Sequence, residues 1–133
     1  MRTAVVDLDT AGTRIVDLTG RVEAFAKDVG DGLIHVFAPH ATAGLALMET
    51  GSGSEADLEA ALGRLLPRDT DYRHRHGSEG HGADHLLPAL IAPFVVVPVE
   101  GGRLLLGTWQ SIVLVDLNED NRHRQVRVTY VPG

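Results

Sequence analysis

The sequence predicts a single α+β domain, a mostly antiparallel mixed sheet or sandwich with two or three helices packed on it. Three observations carry this reading. The chain has 133 residues, the length of one domain rather than two. Strand-like runs outnumber helical ones, at about seven or eight strands. The two patterns do not alternate as βαβα, which excludes a doubly wound parallel sheet. A composition of 44% hydrophobic and 23% charged residues supports a packed core and excludes a disordered or fibrous chain. No repeat, low-complexity stretch or linker divides the chain, so one domain is expected over 1–133.

Residues 2–8 and 13–18 read as short strands separated by the Thr10-Ala11-Gly12 turn. Thr19 is a candidate cap for a helix over 20–29, with Val22, Phe25, Ala26 and Val29 on one face. Gly30 is a suitable stop. Residues 33–38 form a strand ending at Pro39, and 45–48 another ending at Glu49. Residues 50–54 are a loop. Ser54 and Asp57 resemble a capping box opening a helix, with Leu58, Ala61, Leu62 and Leu65 on its apolar face, that stops at Pro67.

Residues 67–84 have no periodicity and are dense in Arg, Asp, His and Gly. Loops this long inside small domains are usually functional or disordered. Asp84 can cap a short helix over 85–92. Residues 94–99 are a nearly all-apolar strand in which Pro98 marks an edge or strand end. Gly101-Gly102 signals a hairpin. Strands over 103–106, 109–117 and 124–131 complete the set, the last alternating cleanly.

Several function classes are excluded early. The chain has no cysteine, so disulfides, thiolate zinc sites and cysteine nucleophiles are absent. A net charge of −6 argues against nucleic acid and anionic membranes as partners. No apolar run reaches the ~20 residues of a membrane span. The first residues lack a signal-peptide pattern, so the expected location is the cytoplasm.

The chemistry-bearing residues fall into four groups. Seven histidines are present, and His74, His76, His81 and His85 fall within twelve residues. His74 and His76 share a side on an extended segment, and His81 and His85 are spaced by four across the predicted helix start. His40 follows a strand and Pro39. Neutral imidazole is the commonest metal ligand, and catalytic zinc typically keeps three protein ligands and one open position. A polar surface loop that happens to be His-rich fits the same spacing equally well. His35, mid-strand, reads as structural or solvent-facing, and His123 as a surface residue.

Gly107-Thr108-Trp109-Gln110 forms the second group and holds the only Trp. Glycine permits close backbone approach, and Thr108 and Gln110 supply donors and acceptors for a substrate. A β-bulge with a core Trp is the alternative. In the third group, Asp116 precedes a polar loop and then Arg122 and Arg124, guanidinium groups suited to an anion or phosphate. An exposed hairpin tip of mixed charge is the plainer reading. The fourth is Glu49, a candidate general base or metal ligand, followed by a Gly/Ser loop that lacks a P-loop lysine.

Taken in order, certain segments resemble a known family. They are His40-Ala41-Thr42-Ala43, Glu49, Asp57, Tyr72-x-His74, Ala83-Asp84-His85-Leu86, Gly101-Gly102-Arg103-Leu104 and Gly107-Thr108-Trp109-Gln110, followed by an Arg-rich turn into a last strand. The series is similar to the YjbQ-like family, often labelled secondary thiamine-phosphate synthase, over about residues 1–131. The resemblance implies a compact α+β homotrimer with its site near the subunit boundary. It implies a three-His pocket of His40, His74 and His85, with Glu49 and Gln110 nearby.

The activity it implies is the weak joining of a pyrimidine pyrophosphate to a thiazole phosphate. Arg122 and Arg124 would take the pyrophosphate, Trp109 would form an aromatic wall, and His40, Glu49 and Gln110 would be the catalytic groups. A divalent metal ion is expected, zinc or another first-row metal for the imidazoles, magnesium for a pyrophosphate substrate. The rival readings are metal-assisted hydrolysis of a small phosphorylated or acyl substrate, with Glu49 as base, and a non-catalytic trimer that binds a small anionic metabolite. The chain departs from the family at Ala41, Thr50, Ala92-Pro93 and Asp116, where Thr, Asn, Gly and Glu are usual. His76 and His81 are extra imidazoles that can replace one of the three.

Overall fold

The structure, a computed structural model, describes residues 1–133. Strand β1 (Arg2–Asp9) turns Ala4, Val6 and Leu8 inward and its other side chains to solvent. Then follow β2 (Ile15–Asp17), α1 (Thr19–Ala26), β3 (Gly32–Phe37), β4 (Gly44–Met48) and α2 (Ser54–Leu65). Two single-turn helices, α3 (His81–Asp84) and α4 (Leu87–Leu90), precede β5 (Phe94–Glu100) and β6 (Arg103–Leu104). Strands β7 (Ser111–Val115) and β8 (His123–Pro132) close the chain. Every strand pairing is antiparallel.

One sheet has five strands in the order β1-β8-β3-β5-β6, and the other has three in the order β2-β7-β4. The alternating strands of the first sheet supply Leu8, Ile34, Val36, Val97, Val99, Val126 and Val128 to a core shared with Leu45, Ile112 and Leu114 of the second. Helix α1 closes that core with Val22 and Ala26. The other side of β7, Val113 and Val115, packs against Leu62 and Leu66 of the α2 segment and Ala83 and Leu87 of α3 and α4. The result is three layers: large sheet, small sheet, helices. Strand β7 is completely buried on both faces from Ile112 to Val115, which is why this stretch reads as an unbroken apolar run.

Several boundaries differ from the sequence expectations. Thr19 does not cap α1; its hydroxyl donates to Asp17 at 2.6 Å and accepts from the Ile112 amide at 2.8 Å. Helix α2 opens at Gly53, whose φ of 100° suits glycine, and no capping box forms. Glu55 instead accepts from the Gly51 amide at 3.0 Å. The buried stripe of α2 runs Leu58, Leu62, Leu66, while Leu65 is 68% exposed. The helix expected over 85–92 begins earlier and is broken at His85 and Leu86, with Pro88 near the start of α4. Trp109 lies in the turn before β7 and is 74% exposed, so it is not a core residue.

Ile112→Ala removes a fully buried side chain between two sheets that cannot easily collapse. It is expected to lower stability by about 2–5 kcal/mol, read from the shift in a urea denaturation curve.

Candidate metal centre

The chain leaves α2 at Pro67 and folds back, with the Tyr72 hydroxyl donating to the Pro67 carbonyl at 2.7 Å. Gly82 lets the returning segment press against α3. A Cβ there would stand 2.6 Å from the Tyr72 Cβ and 2.8 Å from the His74 carbonyl oxygen. This approach delivers His74 to the helix that carries His81 and His85. His81 opens α3 and His85, four residues on, is its C-cap and still has helical dihedrals, so their rings share one face. Their Nε2 atoms are 3.0 Å apart. The His74 ring centroid lies 4.3 Å from that of His85 and 5.1 Å from that of His81.

One ring nitrogen from each of His74, His81 and His85 can be chosen so that all three lie within 4.8 Å of one another. The edge of a tetrahedral zinc site with Zn–N bonds of about 2.0–2.1 Å is roughly 3.3 Å. The His81–His85 pair, at 3.0 Å, is close to that edge, and the His74 nitrogen lies no more than 4.8 Å from either. His76 stacks beside the set, 4.1 Å from His74 and 4.6 Å from His81 by centroid. The cluster borders a cleft of about 390 Å³ with an almost entirely polar lining, including Arg68, Asp71, Arg75 and Glu79.

A second layer of polar groups holds the rings. Asp84 is 1% exposed and would be costly there without partners. Arg68 donates to both its oxygens, and Asn118 Nδ2 donates to Oδ2 at 3.0 Å. Arg68 also reaches the Glu79 carbonyl at 3.2 Å, which ties down the loop before α3. The Asp84 carboxylate beside Arg68 raises the guanidinium pKa further. Asp120 accepts from the Ser78 amide, the Ser78 hydroxyl and His81 Nδ1, the last at 2.6 Å. The Ser78 amide, then the His81 ring, hold the Asp120 carboxyl below its usual range. Lost hydration, then the neighbouring imidazoles, lower His74 and His85. Both rings are therefore biased toward the neutral form that can donate a lone pair.

Within the chain the three rings that converge are His74, His81 and His85; His40, the third member of the set that the resemblance implies, is not among them. His40 follows β3 and replaces a missing strand partner for β8, its Nε2 lying 3.0 Å from the Gln125 amide nitrogen and 3.1 Å from the Gln125 carbonyl oxygen. The ring tautomer decides whether that nitrogen accepts from the amide or donates to the carbonyl. Partial burial, then the Arg124 charge, lower its pKa.

Arg124 is also corrected as an anion ligand. It is 2% exposed and donates to Asp116 at 2.7 and 2.9 Å and to Thr42 at 2.8 Å. Thr10 donates to the same carboxylate at 2.8 Å. The pair ties the end of β1, the 42 segment and the end of β7 to β8. Arg122 is exposed, 3.7 Å from Asp9. Glu49 is exposed beside the loop before α2. Thr108 and Gln110 line a separate cleft against α1, and Gln110 Oε1 accepts from the Gly107 amide at 2.8 Å. His35 stacks on Phe37 and Phe94, and His123 is exposed, as anticipated. Asp84 and Asp120 were not singled out for these roles. The signal available was the polar 118–121 run directly after a fully apolar strand.

Fold and site together define a small α+β sandwich protein with a surface cluster of imidazoles on its helical layer. The chain belongs to the UPF0047 family: the family described as "UPF0047 protein YjbQ-like" matches residues 4–133. It is 65% identical over 133 residues, all of both chains, to the UPF0047 protein Rv2556c of Mycobacterium tuberculosis. It resembles a hypothetical protein from Aeropyrum pernix K1, with a TM-score of 0.89 and 31% identity over 100% of both chains. A YbjQ-like protein of unknown function from Sulfolobus solfataricus P2 shares the fold, with a TM-score of 0.92 and 24% identity over 99% of this chain and 97% of that one. No helix is long and apolar enough to cross a membrane.

Two outcomes follow from the corrected residues. Arg124→Ala leaves Asp116 buried without its partner and is expected to lower stability by about 3–5 kcal/mol, measured by denaturant titration. The unfolded chain binds a proton at position 40 more readily than the folded one. Stability linked to His40 is therefore complete above pH 6.5 and is lost as the pH falls through its folded-state value. An NMR titration should place the His40 midpoint below 6.5; a midpoint at or above it would contradict the assignment.

Proposed function

We propose that His74, His81 and His85 hold a divalent first-row metal ion with one position open, and that the protein is an enzyme hydrolysing a small phosphorylated or acyl substrate there. The observation that supports this most is the convergence of three ring nitrogens within 4.8 Å. When bound, such an ion acts as a Lewis acid on a substrate oxygen and activates water. The chain's own residues supply the rest. His76 stands beside the donor set, exposed, in position to accept a proton from an incoming group. Arg75 is fixed by the Tyr72 carbonyl at 3.0 Å, on the cleft wall, where its charge favours an anionic substrate.

Joining a pyrimidine pyrophosphate to a thiazole phosphate has less support. Magnesium for pyrophosphate prefers oxygen ligands, whereas the convergent donors are nitrogens. Arg124 is fully engaged by Asp116 and Thr42, and Thr108 and Gln110 line a different cleft.

The proposal includes self-association. The outer face of the five-stranded sheet exposes Val5, Leu33, Phe37, Phe94, Val96 and Val131. Second copies of the chain would cover it, in the homotrimer that the family resemblance implies. Exposed apolar side chains gathered on one face in this way suit an interaction surface.

Native mass spectrometry of the purified, untagged protein tests both parts. One metal ion per chain is expected, with the ion lost and the fold kept in the His81→Ala, His85→Ala double variant. Absence of any ion after reconstitution with zinc would overturn the metal reading, and a monomer at micromolar concentration would overturn the assembly.

A further inference from the structure

We propose that Asp120 is the positioning residue of the imidazole site, fixing the tautomer and direction of His81 so that its Nε2 faces the open centre. This rests on the metal reading above and deepens it. Asp120 lies 39 residues beyond His81 in sequence, on the loop between β7 and β8. Its Oδ2 is 2.6 Å from His81 Nδ1, a distance typical of a charge-assisted hydrogen bond. The carboxylate accepts, so Nδ1 carries the ring proton and the Nε2 lone pair is bare. That bare nitrogen is the one 3.0 Å from His85 Nε2. Among the three rings of the set, His81 is the one with a carboxylate hydrogen bond.

The carboxylate is itself held from both sides. Asn118 Oδ1 accepts from the Asp120 amide at 3.1 Å and the Asn121 amide at 3.0 Å, which builds the turn that presents Asp120. The Ser78 amide and hydroxyl, each 3.1 Å from Oδ2, set its height above the His loop. Asn118 Nδ2 donates to Asp84 at 3.0 Å and lies 3.4 Å from His81 Nδ1, and as a donor it cannot accept the Nδ1 proton that Asp120 takes. The Asp120 side chain thus joins two segments that are also linked through Asn118 and Asp84. A carboxylate on the distal nitrogen of a ligating histidine orients the ring and raises its basicity, and its loss typically weakens metal binding about 10–100-fold.

The test uses zinc titrated into metal-free full-length protein against a chromophoric chelator, with 15N NMR of the histidine rings. Asp120→Asn keeps an acceptor oxygen for Ser78 but loses the charge, and Asp120→Ala removes both. Each is expected to bind one ion at saturation but about 10–100-fold more weakly than wild type. Ser78→Ala removes one of the Ser78 contacts to Asp120 but keeps the contact to His81, so its loss should be smaller than that of either Asp120 variant. In the metal-free wild type, His81 should appear as the Nδ1–H tautomer, and Asp120→Ala should shift it toward Nε2–H. A purely structural role would move the melting temperature without moving the tautomer.

Unchanged affinity in Asp120→Asn, or an Nε2–H tautomer at His81 in the wild type, would overturn the positioning role while the metal reading stands. A wild type that takes up no zinc would overturn both, and the wild-type titration alone separates that case from the others.

Discussion

Strand β7 imposes the constraint from which the rest of the architecture follows. Ile112, Val113, Leu114 and Val115 are all fully buried, so neither face of this strand can meet water. A five-stranded sheet covers one side, and helices must cover the other. The helical layer is therefore required by the strand, and α2, α3 and α4 are the elements that fill it. Because α3 and its neighbour carry His81 and His85, the need to cover Val113 and Val115 also fixes where the imidazoles stand.

Polarity changes abruptly where β7 ends. Asp116 enters a buried pair with Arg124, and Asn118 turns toward Asp84. The same few residues thus close the sheet packing and anchor the histidine-bearing loop. Burial of these charges is tolerable because each has fixed partners: two hydroxyls and an amide around Asp116 and Arg124, a guanidinium and an amide around Asp84. No buried side-chain nitrogen or oxygen lacks a hydrogen-bond partner. The cluster itself differs. His74 and His76 are exposed and draw their placement from contacts around them rather than from an apolar envelope.

Much of the fold was legible because period-2 alternation survives in β1, β3 and β8, where one face is wet. Sequence could not show that the apolar run at β7 is buried from both sides rather than belonging to a parallel sheet. It also extended that strand back to Trp109. In the structure the turn takes it out to solvent. Of the site, the density of histidines was visible, but their pairing was not. His40 and His81 are chemically identical in a one-dimensional reading. Only the backbone of β8, which offers an amide to His40, and the carboxylate of Asp120, which engages His81, separate them. Asp84 looked like a helix cap because acidic residues favour that position. Its carboxylate is instead turned inward by Arg68, sixteen residues earlier.

All three rings of the cluster come from a single stretch of twelve residues, 74 to 85. A chelate formed there would close only short loops of chain and cross-link nothing outside its own segment. The conformational entropy removed from the unfolded ensemble grows with the length of the closed loop, so it would be small. The domain's cores contain none of these rings and would persist without the chelate. Occupancy would then follow the supply of ions in the surroundings rather than the history of folding. Such a centre would leave the fold standing when stripped, unlike those of small zinc domains, which unfold.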